Sequence, residues 1–365
     1  MSVQTALRKV LDGEFLTADE AAATMSELML GEVHHGLVGG FLIGVETRGV
    51  TGEELSGFAR TMRGFARSLQ FDHPNLVDTC GTGGGAPTFN LSTAAGILAA
   101  ACGAKVAKHG NRAVTGQCGS ADVLEAMGVP LDLPEVDQKS RLEEVGFVFM
   151  FAPSHHPAVR HVAPVRKALG VRTFFNLLGP LANPAGARRQ MIGVYSDRAL
   201  RPVAEALNQL GVDHAVVVHG HDGMDEVSPC APTRFVQLHR GQISEGEWQL
   251  SDFGQEALSL PQIQSAGGIP GHVDSLRRAL TVADSAEAMA IIPNTAVTLM
   301  LAGLAESVQS GAELARSALR SGAAAETLAR MIQPVGNCRF LIRFWPIRGR
   351  DWRWAQPRNF WGSRR

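Results

Sequence analysis

The sequence predicts an α/β protein, with a small N-terminal helical domain and a larger α/β domain whose central, mostly parallel sheet is flanked by helices. Three observations carry this prediction. Helix-entry signals and helical apolar spacing fill residues 1 to about 70. From Asn75 onward, short apolar runs alternate with helical patterns, the rhythm of strand, loop and helix. A β-rich stretch within 232–250, containing Arg234-Phe-Val-Gln-Leu, falls outside that rhythm.

Each element has its own signal. Thr17-Ala-Asp-Glu20 and Thr51-Gly-Glu-Glu54 set a threonine three residues before a glutamate, the capping-box start of a helix. Leu55, Phe58, Ala59 and Met62 follow the second at helical spacing, and Val38, Phe41, Leu42 and Val45 form another stripe between the two. Leu76-Val77 leads into a glycine-rich loop, and residues 92–101 form a small-residue helix that can lie close to a sheet. A short strand covers 105–108. A helix covers 120–127, with Ser120 as N-cap and Gly128 at its end. Strands at 147–151, 190–195 and 214–219 alternate with helices near 157–169 and 198–210. Late helices run over 285–331, with Gly303, Gly311 and Gly322 as breaks.

Composition narrows the class. With 365 residues, 45% hydrophobic and 19% charged, the chain has the length and balance of a globular protein with a substantial core. A net charge of −1 advertises neither nucleic acid nor an anionic membrane surface. Five scattered cysteines without a C-x-x-C pair read as reduced thiols. Arg8, Lys9, Asp12 and Glu14 make the N-terminus unlike a signal peptide, and no stretch approaches a membrane span, so a cytoplasmic location is expected.

Two distant segments look built for phosphate and metal. The first is Asp78-Thr-Cys-Gly-Thr-Gly-Gly-Gly-Ala-Pro-Thr-Phe-Asn-Leu-Ser-Thr, followed by Lys108-His-Gly-Asn-Arg112; the second is His219-Gly-His-Asp-Gly-Met-Asp-Glu226. A glycine turn between strand and helix presents backbone N–H groups to an anion at the positive end of the helix dipole. An acidic pair at a strand end suits Mg²⁺, which takes one or two carboxylates plus substrate phosphates. Together they point to an enzyme handling a magnesium-bound polyphosphate. An ordinary tight turn and a solvated acidic loop are the bland alternatives for the two segments taken singly.

These motifs resemble the anthranilate phosphoribosyltransferase family. The likeness continues through Gly119-Ser-Ala-Asp-Val-Leu, residues 151–167, residues 169–184 and Asn294-Thr-Ala-Val-Thr-Leu, covering about residues 5–330. It implies phosphoribosyl pyrophosphate and anthranilate as ligands, Mg²⁺ as cofactor, a homodimer, and a return of 160–182 to the helical domain. The expected organisation is a helical domain over 1–72, a phosphoribosyl-pyrophosphate-binding α/β domain over 73–333, and a tail over 334–365. Two departures stand out. The loop runs Gly84-Gly85-Ala86-Pro87-Thr88, one residue short of the family pattern and without its acid, which leaves open whether Gly84 or Gly85 contacts the ligand. Thr115-Gly116 stands where the family often has two serines.

The resemblance assigns Gly81, Gly84, Gly85, Thr88, Asn90, Ser92, Thr93, Lys108 and Ser120 to phosphoribosyl pyrophosphate, with Gly83 part of the same amide cradle. It assigns Ser92, Asp225 and Glu226 to the metal, leaving Asp222 as a turn residue. Gly81, Asn111 and Arg166 fall to anthranilate, Arg166 because a guanidinium holds a carboxylate in a forked geometry. His109 and His156 read equally as pocket or packing residues, and neither is assigned a proton transfer. Arg172 and Asn176 read as residues fixing the 170–184 connection. Amine attack on the ribosyl C1 expels pyrophosphate, and a neutral aromatic amine already carries its lone pair, so no strong general base is demanded.

Two alternatives come with this reading. A pyrimidine-nucleoside phosphorylase would share the glycine loop without needing the acidic pair. A non-catalytic nucleic-acid binder draws on the tail alone, where eight arginines and four of the five tryptophans fall within 334–365. The tail reads more simply as an unstructured extension, and nucleic acid is not an expected partner.

Overall fold

The computed structural model describes residues 1–113 and 118–333. The Thr115-Gly116 departure and the 334–365 tail lie outside the described residues.

Four helices open the chain: α1 (Val3–Leu11), α2 (Ala18–Leu30), α3 (His35–Arg48) and α4 (Gly52–Gly64). Both expected capping boxes form, with Thr17 and Thr51 accepting from the N–H of Glu20 and Glu54. Val38, Phe41, Leu42 and Val45 of α3 are all buried, as their spacing predicts. Helices α2 and α4 touch closely at Gly57, where an added Cβ would lie 2.2 Å from the Ala18 carbonyl oxygen.

The α/β part follows as β1 (Val77–Asp78), α5 (Leu91–Ala101), β2 (Val106–Gly110), α6 (Ser120–Ala126), α7 (Glu135–Val145) and β3 (Phe147–Phe151). Next come α8 (Ala152–His155), α9 (Ala163–Leu169), α10 (Phe175–Leu181), β4 (Arg189–Gly193), α11 (Leu200–Gln209) and β5 (His214–Gly220). The chain then forms β6 (Thr233–His239), β7 (Gln242–Trp248), α12 (Leu260–Ile263), α13 (Gly268–Thr281), α14 (Ala286–Leu301), α15 (Val308–Ser321) and α16 (Ala323–Ile332). The sheet order is β3-β2-β1-β4-β5-β6-β7, with β1–β5 parallel and β6 and β7 antiparallel. The hairpin is the stretch that broke the alternating rhythm.

The pleat of the strands sorts two cores. Met191, Val216 and Val218 join the cluster containing α5 and α14, whereas Ile192, Ala215 and Val217 join the cluster containing α1–α4. Alternate side chains point to opposite faces, so one strand serves both layers. Val162, Val165, Phe174, Leu177, Leu178 and Leu181 also enter the α1–α4 cluster. Strand order reverses around β1 and β4, and loops at their C-terminal ends open the crevice where open α/β sheets bind ligands.

Several elements differ from the sequence reading. Ser120 is the first residue of α6; Gly119 is its cap, and the Asp122 carboxylate accepts from the Gly119 and Ala113 N–H groups at 2.9 and 3.0 Å. Gly311 is no break: it lies inside α15 against α14, where a Cβ would meet the Ala296 carbonyl oxygen at 2.7 Å. The helix expected over 157–169 divides into a 3₁₀ turn (Pro157–His161) and α9, because prolines at 157 and 164 each start a new turn without an N–H to donate. Helices α7, α10 and α13 went unread.

Candidate active site

The glycine loop leaves β1 and returns into α5. Gly83 and Gly84 sit at φ 72° and 87°, a left-handed pair that side chains rarely adopt. Close approach explains a third glycine: a Cβ at Gly81 would meet the Asp225 carboxylate at 3.2 Å. Gly85 donates its N–H to Asp225 Oδ1 at 3.1 Å, and Ser92 donates its N–H to Glu226 Oε1 at 3.2 Å. Loop and acidic turn, 140 and 134 residues apart at these bonds, thus meet directly.

Asn90 occupies the N-cap position of α5 without a side-chain capping bond. Its amide instead donates to the Cys118 carbonyl at 3.2 Å, and its oxygen faces His272 Nδ1 at 3.0 Å. Lys108, on β2, is 2% exposed; its Nζ donates to the Thr79 carbonyl at 2.6 Å and the Ser92 hydroxyl at 3.2 Å. The ammonium therefore stands at the helix entry where an anion would arrive. Beneath it Asp78 is fully buried, accepts from the His109 N–H at 3.1 Å, and is pushed up to about 6 by burial. Thr93 is buried in the first turn of α5, Thr88 hydrogen-bonds Phe89, and Ser120 reaches the Asn111 carbonyl at 3.4 Å.

Asp225 and Glu226 adjoin each other at the cleft. Burial raises both above the ordinary carboxylate range, and the charge of Asp225 raises Glu226 further. Two acids that resist ionising together are relieved by a cation. Among the described residues no cluster of three or more His, Cys, Asp or Glu is placed to hold a metal. The oxygen set of two carboxylates and the Ser92 hydroxyl fits Mg²⁺, which completes its shell with phosphate and water. Asp222 accepts instead from the Ser228 hydroxyl at 2.6 Å and the Met224 N–H at 3.2 Å, the turn role its position implied.

The rest of the lining comes from 156–180 and from His109 of β2. Arg166 is half-buried beneath the cleft surface, its guanidinium 4.7 Å from the Phe175 ring centroid, and burial lowers it from its ordinary value. The His109 and His156 rings lie 5.1 Å apart. Burial, with the neighbouring imidazole, pushes His109 down to about 3, and burial pushes His156 down to about 4. Both rings are neutral at pH 7, and neither Nε2 has a hydrogen-bond partner among the described residues. Asn111 lines the same cleft and accepts from the Arg112 N–H. Every residue the sequence assigned to ligands lines this one cleft of about 1400 Å³.

Sequence reasoning missed Arg160, Gln264, Ser265 and His272, which also line the cleft. Arg160 lies within the 151–167 motif and was legible there; the others come from a segment without a local signal. Arg172 does more than fix its own connection. Its guanidinium donates to the Gly84 carbonyl and lies 4.9 Å from the Tyr195 ring centroid. Asn176 does act locally, accepting from the Thr173 N–H at 3.2 Å.

A helical bundle joined to an α/β domain, with a glycine loop meeting an acidic pair in the cleft, is the arrangement of a glycosyl transferase. Residues 4–66 match the helical bundle domain of the glycosyl transferase family, and residues 73–325 match its a/b domain. The anthranilate phosphoribosyltransferase of Thioalkalivibrio sulfidiphilus is 42% identical, the match covering 93% of this chain and all of that one. That of Halorhodospira halophila is 44% identical over 91% and 98% of the two chains. Among solved structures, the enzyme of Thermus thermophilus superposes with a TM-score of 0.83 at 41% identity, over 90% of this chain and 98% of that chain. The Saccharomyces cerevisiae enzyme in complex with PRPP and Mg gives 0.80 at 26% identity, over 90% and 96%. The chain belongs to the anthranilate phosphoribosyltransferase family.

Proposed function

We infer that the chain transfers the 5-phosphoribosyl group of phosphoribosyl pyrophosphate to the amine of anthranilate, giving N-(5-phosphoribosyl)anthranilate and pyrophosphate in tryptophan biosynthesis. The observation that carries this is one cleft lined by two groups of residues: the glycine loop, Lys108 and an acidic pair that bond one another, and Arg166 with two neutral imidazoles. The first group suits a polyphosphate and the second an aromatic acid.

On this reading Gly81, Gly83, Gly84, Gly85, Thr88, Asn90, Ser92, Thr93 and Ser120 surround the pyrophosphate end, with Lys108 neutralising charge that grows as the C1–O bond breaks. Ser92, Asp225 and Glu226 would hold Mg²⁺, which supplies positive charge to the leaving pyrophosphate. Arg166 holds the carboxylate, while Asn111 and neutral His109 and His156 border the ring and amine. Alignment of the amine with C1 then does most of what remains. The amine proton leaves after attack, and no side chain is assigned to receive it.

The same reading includes a domain division at 72/73, with 160–182 returning to the helical part, supported by the core those residues share. It includes a cytoplasmic homodimer; Leu11, Phe15 and Leu30 stand exposed on the bundle. No helix among the described residues is long and apolar enough to cross a membrane. The test follows anthranilate fluorescence with phosphoribosyl pyrophosphate and Mg²⁺. Loss of fluorescence dependent on all three supports the assignment. Phosphorolysis of uridine or thymidine without anthranilate turnover overturns it.

A further inference from the structure

The Gly84–Gly85 peptide unit is gripped at both ends. Its carbonyl accepts from Arg172, and its N–H donates to Asp225 Oδ1 at 3.1 Å. The unit follows two consecutive left-handed glycines, whose conformational freedom leaves the peptide plane to be set by its partners. An unheld plane can rotate its carbonyl into the cleft and face a phosphate with an acceptor.

Arg172 is itself held. Its guanidinium lies over Tyr195, whose N–H donates to Thr82 Oγ1 at 3.1 Å, and Thr82 N–H donates to the Gly193 carbonyl at 2.8 Å. From the helical side, Glu46 of α3 interacts electrostatically with the same guanidinium. The residue next to Arg172, Thr173, and the following Phe174 are buried, Phe174 in the bundle core. A side chain rooted in the bundle therefore reaches across to the loop of the α/β domain.

We propose that Arg172 is a positioning residue for the phosphate loop: by holding the Gly84 carbonyl it keeps that acceptor off the ligand and locks the loop in the conformation in which the Gly85 N–H engages Asp225. This rests on the reading of the loop as the pyrophosphate cradle. It also divides the work of the two glycines in the shortened loop. Gly84 supplies the carbonyl that Arg172 holds, and Gly85 supplies the N–H. The missing acid is compatible with this, since the loop takes its orientation from a cation outside it.

The experiment compares the full chain with R172A and R172K. Amide exchange at Gly85 is measured in ligand-free protein, and pyrophosphate with Mg²⁺, then anthranilate, is titrated calorimetrically. R172A should exchange faster at Gly85 and bind pyrophosphate about tenfold more weakly, the scale of one charge-assisted hydrogen bond. Anthranilate affinity and melting temperature should hold, because Arg172 is solvent-exposed, and R172K should recover part of the loss. Weaker pyrophosphate binding with unchanged exchange means that Arg172 touches the ligand directly and overturns the proposal. Unchanged values in both overturn it as well. Wild-type protein that binds no pyrophosphate sinks the functional reading instead, while the exchange arm still decides whether Arg172 holds the loop.

Discussion

Replacing Arg166 with alanine tests the division of the cleft most directly. Arg166 is half-buried, and the one partner of its guanidinium among the described residues is the Phe175 ring at 4.7 Å. An Arg–aromatic contact of that kind stabilises by about 0.5–2 kcal/mol, and holding the charge partly away from water works against it. Removing the side chain loses the contact and relieves the desolvation together, so R166A should melt within a few degrees of wild type. Anthranilate binding is different. A charge-assisted bond to a carboxylate contributes about 1.5–3 kcal/mol, which is roughly a tenfold to 150-fold rise in KM for anthranilate. The KM for phosphoribosyl pyrophosphate should move by less than about twofold, because Lys108 and the glycine amides belong to the other group of lining residues. Initial rates by anthranilate fluorescence, with each substrate varied at saturation of the other, separate the two. R166K should be intermediate, keeping the charge but losing the fork. A larger effect on the pyrophosphate substrate would refute the placement of the subsites; a collapse in melting temperature would show that Arg166 is structural.

Three further outcomes are expected. Excess chelator should abolish turnover, since the buried Asp225–Glu226 pair lines the cleft and resists ionising together without a cation; undiminished turnover would remove the metal from the reading. His109 and His156 have folded values pushed below the ordinary 6.5, to about 3 and about 4, so the stability they contribute is present above pH 6.5 and lost as pH falls through those values. For His156 this is roughly 3 kcal/mol at 1.36 kcal/mol per unit, and denaturant titrations of His156→Gln across pH 7 to 4 should show a flatter decline than wild type. Gly311→Ala should destabilise by about 1–3 kcal/mol, because the new Cβ would stand 2.7 Å from a backbone oxygen of α14 and the helix-propensity gain of about 1 kcal/mol cannot offset a shifted helix pair. A raised melting temperature would show that α14 and α15 separate freely.

The sequence determined what neighbours along the chain determine. Thr17 and Thr51 cap helices because the glutamate that completes each box lies three residues on. The glycine loop was legible because strand, turn and helix are contiguous, and Lys108, Asp225 and Glu226 because each follows an apolar strand whose end opens a crevice. The family likeness supplied the rest of the site list, and those residues do meet in one cleft. What the tertiary structure alone decided involves partners far apart in the chain. Whether a glycine breaks a helix or lets two helices touch depends on what crosses it, so Gly311 could not be read locally. Asn90 is held by His272, 182 residues away, on a helix with no signal of function. Arg172 looked like a local brace until the sheet order set the β1 loop beside it, 88 residues back. Backbone periodicity encodes which face of an element is apolar; it carries no information on which distant carbonyl a guanidinium will reach.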